Sequence, residues 1–430
     1  MAHIDEEQTM EVDEEVEEIE CEDEDEDMIV DESAYRLYYP FTTDNPCLSF
    51  DIITDCLGNE RVAERGGDPI TAYIVSGSQT NSDFSDIYIM KLDNMKPFEE
   101  IKNEEDAESS DSEDDLDDQP ELECLRIKNS GNINRLRSTL FSNQYFVACM
   151  NEDKSLNIFN ISKHIAALND SAKMTDFVKN PEATAPSFTS KLKNEGYAVD
   201  WHPTDKQGYL LTGDGSGVVT VWAPNETNWV NLISFDSLHS QSVEDVQWSP
   251  TEPTVFISVS VDKSICISDI RVRNKSMITV ADAHSKDINV CNWSKLDSSK
   301  LVTGSDDCTI RVWDLKLIQQ QASQSFIPGV ERYTHLFDFH KKPITSVEWS
   351  KHETSVFLAT SEDNVTTIWD IDLEADAGEE KQEESEIPVN LLFTHGGQTE
   401  VKEAHWHSQI PGLVISTASS GFHVFRTINV

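Results

Sequence analysis

Tryptophan spacing is the feature that most constrains what this 430-residue chain can fold into. Trp201, Trp248, Trp293, Trp349 and Trp406 form one series, each closing a short apolar stretch after a turn: Ala198-Val199-Asp200, Val246-Gln247, Val290-Cys291-Asn292, Val347-Glu348 and Ala404-His405. About 20 residues beyond each stands a second mark, at Trp222, Ser268, Trp313, Trp369 and Phe425. His239, His284 and His340 lie nine residues before their first-series Trp, while Asp262, Asp307 and Asp363 lie six before the second mark. A weaker unit runs from Ile133 to Ile161, with Asp153 six residues before Phe159. Intervals of 45 to 57 residues match a four-stranded propeller blade, and insertions at 319–332 and 372–386 account for the longer ones.

Six such units follow Asn132, and residues 47–53 and 71–92 supply strands for a seventh. The predicted fold is therefore all-β, a seven-bladed WD40 β-propeller over residues 33–430. Closing the ring removes exposed sheet edges, so an N-terminal strand is expected to complete the last blade, which begins near His395. That places Thr427-Ile428-Asn429-Val430 and Cys47-Leu48-Ser49-Phe50 in or beside one blade.

Charge separates this body from its appendages. The chain has 33 Lys+Arg against 80 Asp+Glu, a net charge of −47. Residues 1–32 hold 18 acidic residues and no basic one, and residues 99–123 hold 14 with a single Lys. These two tracts, with a smaller acidic insertion at 372–386, are expected to be a disordered tail and disordered loops, since dense like charge with few apolar residues cannot form a core. Direct nucleic-acid binding is disfavoured because phosphate contact needs clustered Lys and Arg, whereas a basic protein partner fits. No window approaches the roughly 20 apolar residues of a membrane span, and the N-terminus lacks a signal-peptide pattern. A soluble, intracellular monomer is expected. Eight scattered Cys with no C-x-x-C pair read as buried free thiols, not as disulfides or a thiolate zinc site.

Catalysis finds no support in the motifs. His, Asp and Ser or Thr recur in several units, whereas an active site occurs once. They read as a hydrogen-bonded staple in each blade (His239, His284, His340, Asp262, Asp307 and Asp363), capped by the tryptophans Trp293, Trp313, Trp349 and Trp369. Gly213-Asp214-Gly215-Ser216-Gly217 precedes a strand, not a helix, and reads as a turn instead of a phosphate cradle. His405 and His407 alternate on one strand with no third metal ligand evident. No enzyme activity, cofactor or metal is expected. Partner binding is expected on the face where the chain enters each blade, through Glu244, Asp306, Glu362 and Glu400. Ser110 and Ser112 have acidic residues three positions on, at Glu113 and Asp115, and are expected phosphorylation sites.

Ala34-Tyr35-Arg36-Leu37-Tyr38, Pro46-Cys47-Leu48-Ser49-Phe50-Asp51-Ile52, Ser242-Val243-Glu244-Asp245-Val246-Gln247-Trp248-Ser249-Pro250-Thr251-Glu252 and Gly421-Phe422-His423-Val424-Phe425-Arg426-Thr427-Ile428 resemble the glutamate-rich WD-repeat family, regulators of ribosome biogenesis, over roughly residues 33–430. That family is related to the histone-binding WD proteins of chromatin assembly. The resemblance implies a nuclear and nucleolar chaperone of a basic large-subunit ribosomal protein, the universal L-three protein, meeting pre-ribosomal particles indirectly. The alternatives are a histone-binding chromatin factor that takes core histones, and a ubiquitin-ligase substrate receptor. Asp269-Ile270-Arg271 is similar to the W-D-x-R mark of such receptors, but Ser268 stands where the family has Trp.

Overall fold

The computed structural model describes residues 31–62, 67–98, 119–179, 184–203, 207–226, 228–322, 332–373 and 387–430. The acidic stretches 1–30, 99–118 and 374–386, with Ser110 and Ser112, lie outside the described residues.

Each sequence repeat becomes one antiparallel four-stranded sheet, and there are seven. Blade 1 is Cys47–Ile53, Ile70–Ser78, Phe84–Met95 and Glu121–Ser130; blade 2 is Ile133–Phe141, Gln144–Asn151, Ser155–Asn160 and Phe188–Lys191; blade 3 is Ala198–Trp201, Leu210–Gly213, Val219–Asn225 and Asn228–Phe235. Blade 4 is Val243–Trp248, Val255–Ser260, Ile265–Asp269 and Ser276–Val280; blade 5 is Ile288–Trp293, Lys300–Ser305, Ile310–Asp314 and His335–Phe337; blade 6 is Ile344–Trp349, Val356–Ser361, Thr366–Asp370 and Leu391–His395. Blade 7 combines Val401–Trp406, Leu413–Ala418 and Gly421–Thr427 with the N-terminal strand Tyr35–Phe41. The first strands touch in a closed cycle, so this is a seven-bladed propeller.

Sheets stacked face to face bury both surfaces of their middle strands, which is why Val356–Ser361 is buried at every position. The apolar cores lie between blades: Val302, Ile310 and Val312 of blade 5 pack with Ile344, Trp349, Phe357 and Trp369 of blade 6. A glycine in the second strand lets the next blade come this close. A Cβ on Gly77 would stand 2.5 Å from Ile133, one on Gly213 2.5 Å from Val243, and one on Gly304 would collide with Ile344.

The polar staple forms as the repeat suggests. In blade 5 the Trp313 indole donates to Thr303 Oγ1 at 2.9 Å, His284 Nε2 meets the same hydroxyl at 2.8 Å, and His284 Nδ1 lies 3.1 Å from Asp307. Blade 6 repeats it with Trp369, Thr367, His340 and Asp363. Blade 4 keeps His239, Ser258 and Asp262, but Ser268 leaves it without the indole. Trp293 and Trp349 are not part of the staple. Trp293 donates to Ser298 O, the Trp349 indole finds no hydrogen-bond partner among the described residues, and both fill inter-blade cores.

Three further expectations need correction. The strand that closes blade 7 is Tyr35–Phe41, paired from Tyr35↔Thr427 to Phe41↔Phe422; the Cys47–Ile53 strand instead opens blade 1 beside it, with Thr417 Oγ1 donating to Cys47 O at 2.9 Å. The acidic run at 99–123 is not loop throughout, because Glu121–Ser130 is the outer strand of blade 1. Glu32, grouped with the tail, already belongs to a 3-10 turn, Glu32–Ala34. Helices Ser162–Leu168, Ser171–Lys179 and Leu315–Ala322 have no signal in the repeat pattern; all three connect third and fourth strands.

Trp313 and Trp369 are at most 1% exposed. Changing either to Ala should cost about 3–5 kcal/mol through lost transfer energy and a cavity the stacked sheets cannot close. Urea unfolding of both variants checks this; a loss below about 1 kcal/mol in each would contradict the packing described.

Candidate functional site: the axial channel and its acidic mouth

The innermost strand of each blade has one row of backbone groups without a neighbouring strand, and these must find other partners. Side chains from the adjacent blade supply them. Asp51 accepts the Ser138 N–H at 2.7 Å, Asp200 that of Trp248 at 2.8 Å, Asn292 that of Trp349 at 2.9 Å and Glu348 that of Trp406 at 2.7 Å; Gln247 accepts that of Trp293. The acceptor in blades 3 to 6 is the residue immediately before the first-series Trp. A second tier lies two residues earlier, where Ser49 accepts Leu136 N–H, Asp245 accepts Cys291 N–H and Glu403 accepts Phe50 N–H. Sequence reasoning missed this ring although its signal was present, as a polar residue before each of those tryptophans.

These side chains line a cavity of about 380 Å³ on the propeller axis. At the ring position blade 2 has Arg137 and blade 7 has His405, and here the network changes character. Arg135 and Arg137 reach across blade 1 to Glu403, at 2.7 and 3.3 Å. Burial alone would raise the Glu403 pKa, but Arg137 and Arg135 hold it well below the usual carboxylate range. His405 lies between two carboxylates, with Nδ1 3.3 Å from Glu348 and Nε2 3.4 Å from Glu403. Burial opposes its charge, yet these partners raise its pKa. His407 takes no part: it is fully buried, and its Nδ1 accepts the Gln409 N–H. Among the described residues no group of three or more His, Cys, Asp or Glu is placed to hold a metal.

One end of the channel opens through a smaller cavity of about 240 Å³ lined by Asn134, Arg135, Tyr197, Glu244, Asn289, Glu362 and Lys402. The structure thus brings Glu244 and Glu362 to one mouth. Asp306 joins through Asn289, whose amide donates to it at 2.7 Å, whereas Glu400 is exposed and does not line the opening. Arg135 and Lys402 interrupt the acidic ring. Burial raises the Glu244 pKa, and its near neighbours include a hydroxyl, Ser242, and the Arg135 already paired with Glu403.

The acidic tracts do not leave from this face. Glu244 begins a first strand and Glu362 lies in the turn between second and third strands, while residues 99–118 and 374–386 connect third strands to fourth. Antiparallel pairing puts those connections at the opposite end of the blades. Their stems are tied down there: Phe98 N–H donates to Arg36 O at 2.8 Å, Asn94 to Gln119 O at 2.9 Å and Asn390 to Leu373 O at 2.8 Å. Arg271 also lies at that end, holding Asp269 through a short ion pair.

A repeat-built ring with a polar channel and a charged mouth defines a WD40 scaffold of the interaction class. A model of the WD domain, G-beta repeat, matches residues 231–269, 275–314 and 331–370, and a model of the histone-binding protein RBBP4 and its CAF1-complex counterparts matches residues 25–96. The chain is 34% identical over 415 residues to the ribosome assembly protein rrb1 of Schizosaccharomyces pombe, covering 94% of this chain and 82% of that protein. It is 36% identical over 422 residues to glutamate-rich WD repeat-containing protein 1 of Dictyostelium discoideum (95% and 83%), and 36% identical over 439 residues to protein HEAT STRESS TOLERANT DWD 1 of Arabidopsis thaliana (94% and 89%). The chain belongs to the glutamate-rich WD-repeat family.

Asp200 offers a test of the ring. Burial pushes its carboxyl up to about 7, against roughly 3.9 in an unfolded chain. Between these values the folded state binds the extra proton, so its stability falls as pH rises through that window. Asp200→Asn keeps an acceptor for Trp248 N–H and removes the ionisation, so it should stabilise the protein by about 1–2 kcal/mol at pH 8 and by less at pH 5. Urea unfolding at the two pH values decides; a variant less stable than wild type at pH 8 would contradict the assignment.

Proposed function

We propose that this protein is a binding chaperone, not an enzyme, for a basic ribosomal protein, the universal L-three protein of the large subunit, during ribosome assembly in the nucleus and nucleolus. The observation that carries the reading is the mouth at Glu244 and Glu362 on a chain of net charge −47, in a family that includes a protein named for ribosome assembly. A rigid opening with a partly desolvated carboxylate gives a cationic side chain a specific seat. The acidic tracts at the far end act over a wider area: a 20-residue connection can extend about 30 Å out and back. They raise the encounter rate and screen the client's charge from wrong polyanions. The client then reaches pre-ribosomal particles through this protein, without nucleic-acid contact by the chaperone itself.

Core histones are the second reading, favoured by the match of the histone-binding model over residues 25–96, which span the closing strand and three strands of blade 1. Affinity purification followed by mass spectrometry separates the readings. The ribosomal protein supports the first, histones with chromatin-assembly factors the second, and a cullin adaptor a ligase receptor.

Glu244→Lys combined with Glu362→Lys should leave the melting temperature unchanged and weaken the ribosomal client about tenfold, some 1.4 kcal/mol. A titration at near-physiological salt checks it, and unchanged affinity would move the site off this mouth. Deleting residues 99–118 should slow association and flatten its salt dependence while leaving dissociation alone. Screening limits such steering to a Debye length of about 8 Å at 0.15 M salt, so the effect should fade as salt rises. Stopped-flow association across a salt series measures it; equal on-rates at low salt would remove the steering role.

A further inference from the structure

Blade 7 stays closed only while Tyr35–Phe41 remains paired with Gly421–Thr427, strands from opposite ends of the chain. Beside that pairing runs a row of four rings. Tyr35 Oη lies 2.7 Å from His395 Nδ1, His395 Nε2 lies 2.9 Å from His423 Nδ1, and Tyr38 Oη lies 3.4 Å from His423 Nε2. His395 is 2% exposed and stacks on Phe425 with ring centroids 4.0 Å apart; His423 is 8% exposed. The row can be hydrogen-bonded in either direction, and in both cases each imidazole carries one proton and no charge.

A charge here has nothing to balance it. The titratable groups facing the two rings are the hydroxyls of Tyr35 and Tyr38 from the closing strand and the rings themselves. The other neighbours are Phe393 from the fourth strand of blade 6, Gly397 beyond it, and Phe425 from the third strand of blade 7. Of the charged side chains on the paired strands, Arg36 turns to Ile428 O and Arg426 lies against Gly412. Burial accordingly holds His395 down to about 3 and His423 to about 4.

We propose that the His395–His423 pair is a proton-sensitive latch on the N-terminal strand: the closed ring requires both imidazoles neutral, and protonation favours release of Tyr35–Phe41 while the other blades stay folded. Peeling the strand away removes Tyr35 from His395 and Tyr38 from His423, and the freed rings then bind protons with ordinary affinity, near about 6.5. By linkage, each ring freed raises the open-to-closed ratio about tenfold per pH unit below that value. The latch needs no client and does not depend on the chaperone reading. His164 and His407 are also held low by burial, so acid weakens the whole fold; the latch predicts that the closing strand yields first.

Hydrogen exchange by mass spectrometry on the full chain at pH 7, 6 and 5, corrected for intrinsic exchange rates, tests this. Protection of amides in residues 35–41 should fall tenfold to a hundredfold per pH unit below about 6.5, ahead of the first strands of blades 4 and 5. His423→Gln removes one titrating ring and should reduce that slope to at most tenfold. Tyr35→Phe should weaken protection at pH 7 and retain the steep slope, which keeps the proposal testable if His423→Gln does not fold. Protection in 35–41 that is independent of pH, or that falls in step with blades 4 and 5, would overturn the proposal.

Discussion

Every propeller of this kind has to satisfy the bare edge of its innermost strands. A sheet edge facing solvent binds water, but these edges converge on a narrow axis where room for water is limited and each unpaired N–H is costly. The chain meets the constraint with side chains from the neighbouring blade, so the interaction that pairs the backbone also fixes each blade against the next. Asp200, Gln247, Asn292 and Glu348 do this in succession. The blades are thereby coupled around the axis by polar contacts and farther out by the inter-blade apolar cores.

The arrangement changes where the ring closes. Blades 7, 1 and 2 meet at Glu403, which accepts from Ser49, Phe50, Arg135 and Arg137 and so ties three blades through one carboxylate. Blade 1 belongs to the N-terminal part of the chain and most of blade 7 to the C-terminal end, so this junction has no covalent continuity between adjacent repeats except through the Tyr35–Phe41 strand. A buried carboxylate with two guanidinium partners is costly to desolvate and tolerates little displacement. Its value at this junction is geometric: it is satisfied only when the blades on both sides are in place.

Blade number and most strand positions are legible in the sequence because the repeated residues are those that fill the same space in every repeat. Trp313 and Trp369 act as the caps their spacing suggests, since indole and hydroxyl meet within one blade. Trp293 and Trp349 share the periodicity but not the role, and spacing cannot distinguish an indole that closes a staple from one that fills a gap between blades. The ring of Asp200, Gln247, Asn292 and Glu348 escapes for a related reason. Each side chain bonds a backbone group roughly one repeat away, and the varied acceptors, carboxylate and amide alike, hide a shared duty. Sequence reasoning places the closing strand too late because residues 47–50 and Tyr35–Phe41 are both short and apolar, and only pairing partners tell them apart.

Charge placement is the part of the candidate site that the sequence leaves most open, since strand direction decides it. Glu244 and Glu362 face one end of the axis, whereas the stems of the acidic connections at 99–118 and 374–386 are fixed at the other. This separation has a physical consequence for any cationic partner. Fields from the two ends add at a distance, but within a Debye length a bound segment feels only the end it touches. A short basic segment seated in the mouth therefore gains little from the connections once bound, and a long basic protein engages both ends only by passing around the propeller's rim. Size and extension of the client, as much as its charge, would then set how strongly this chain holds it.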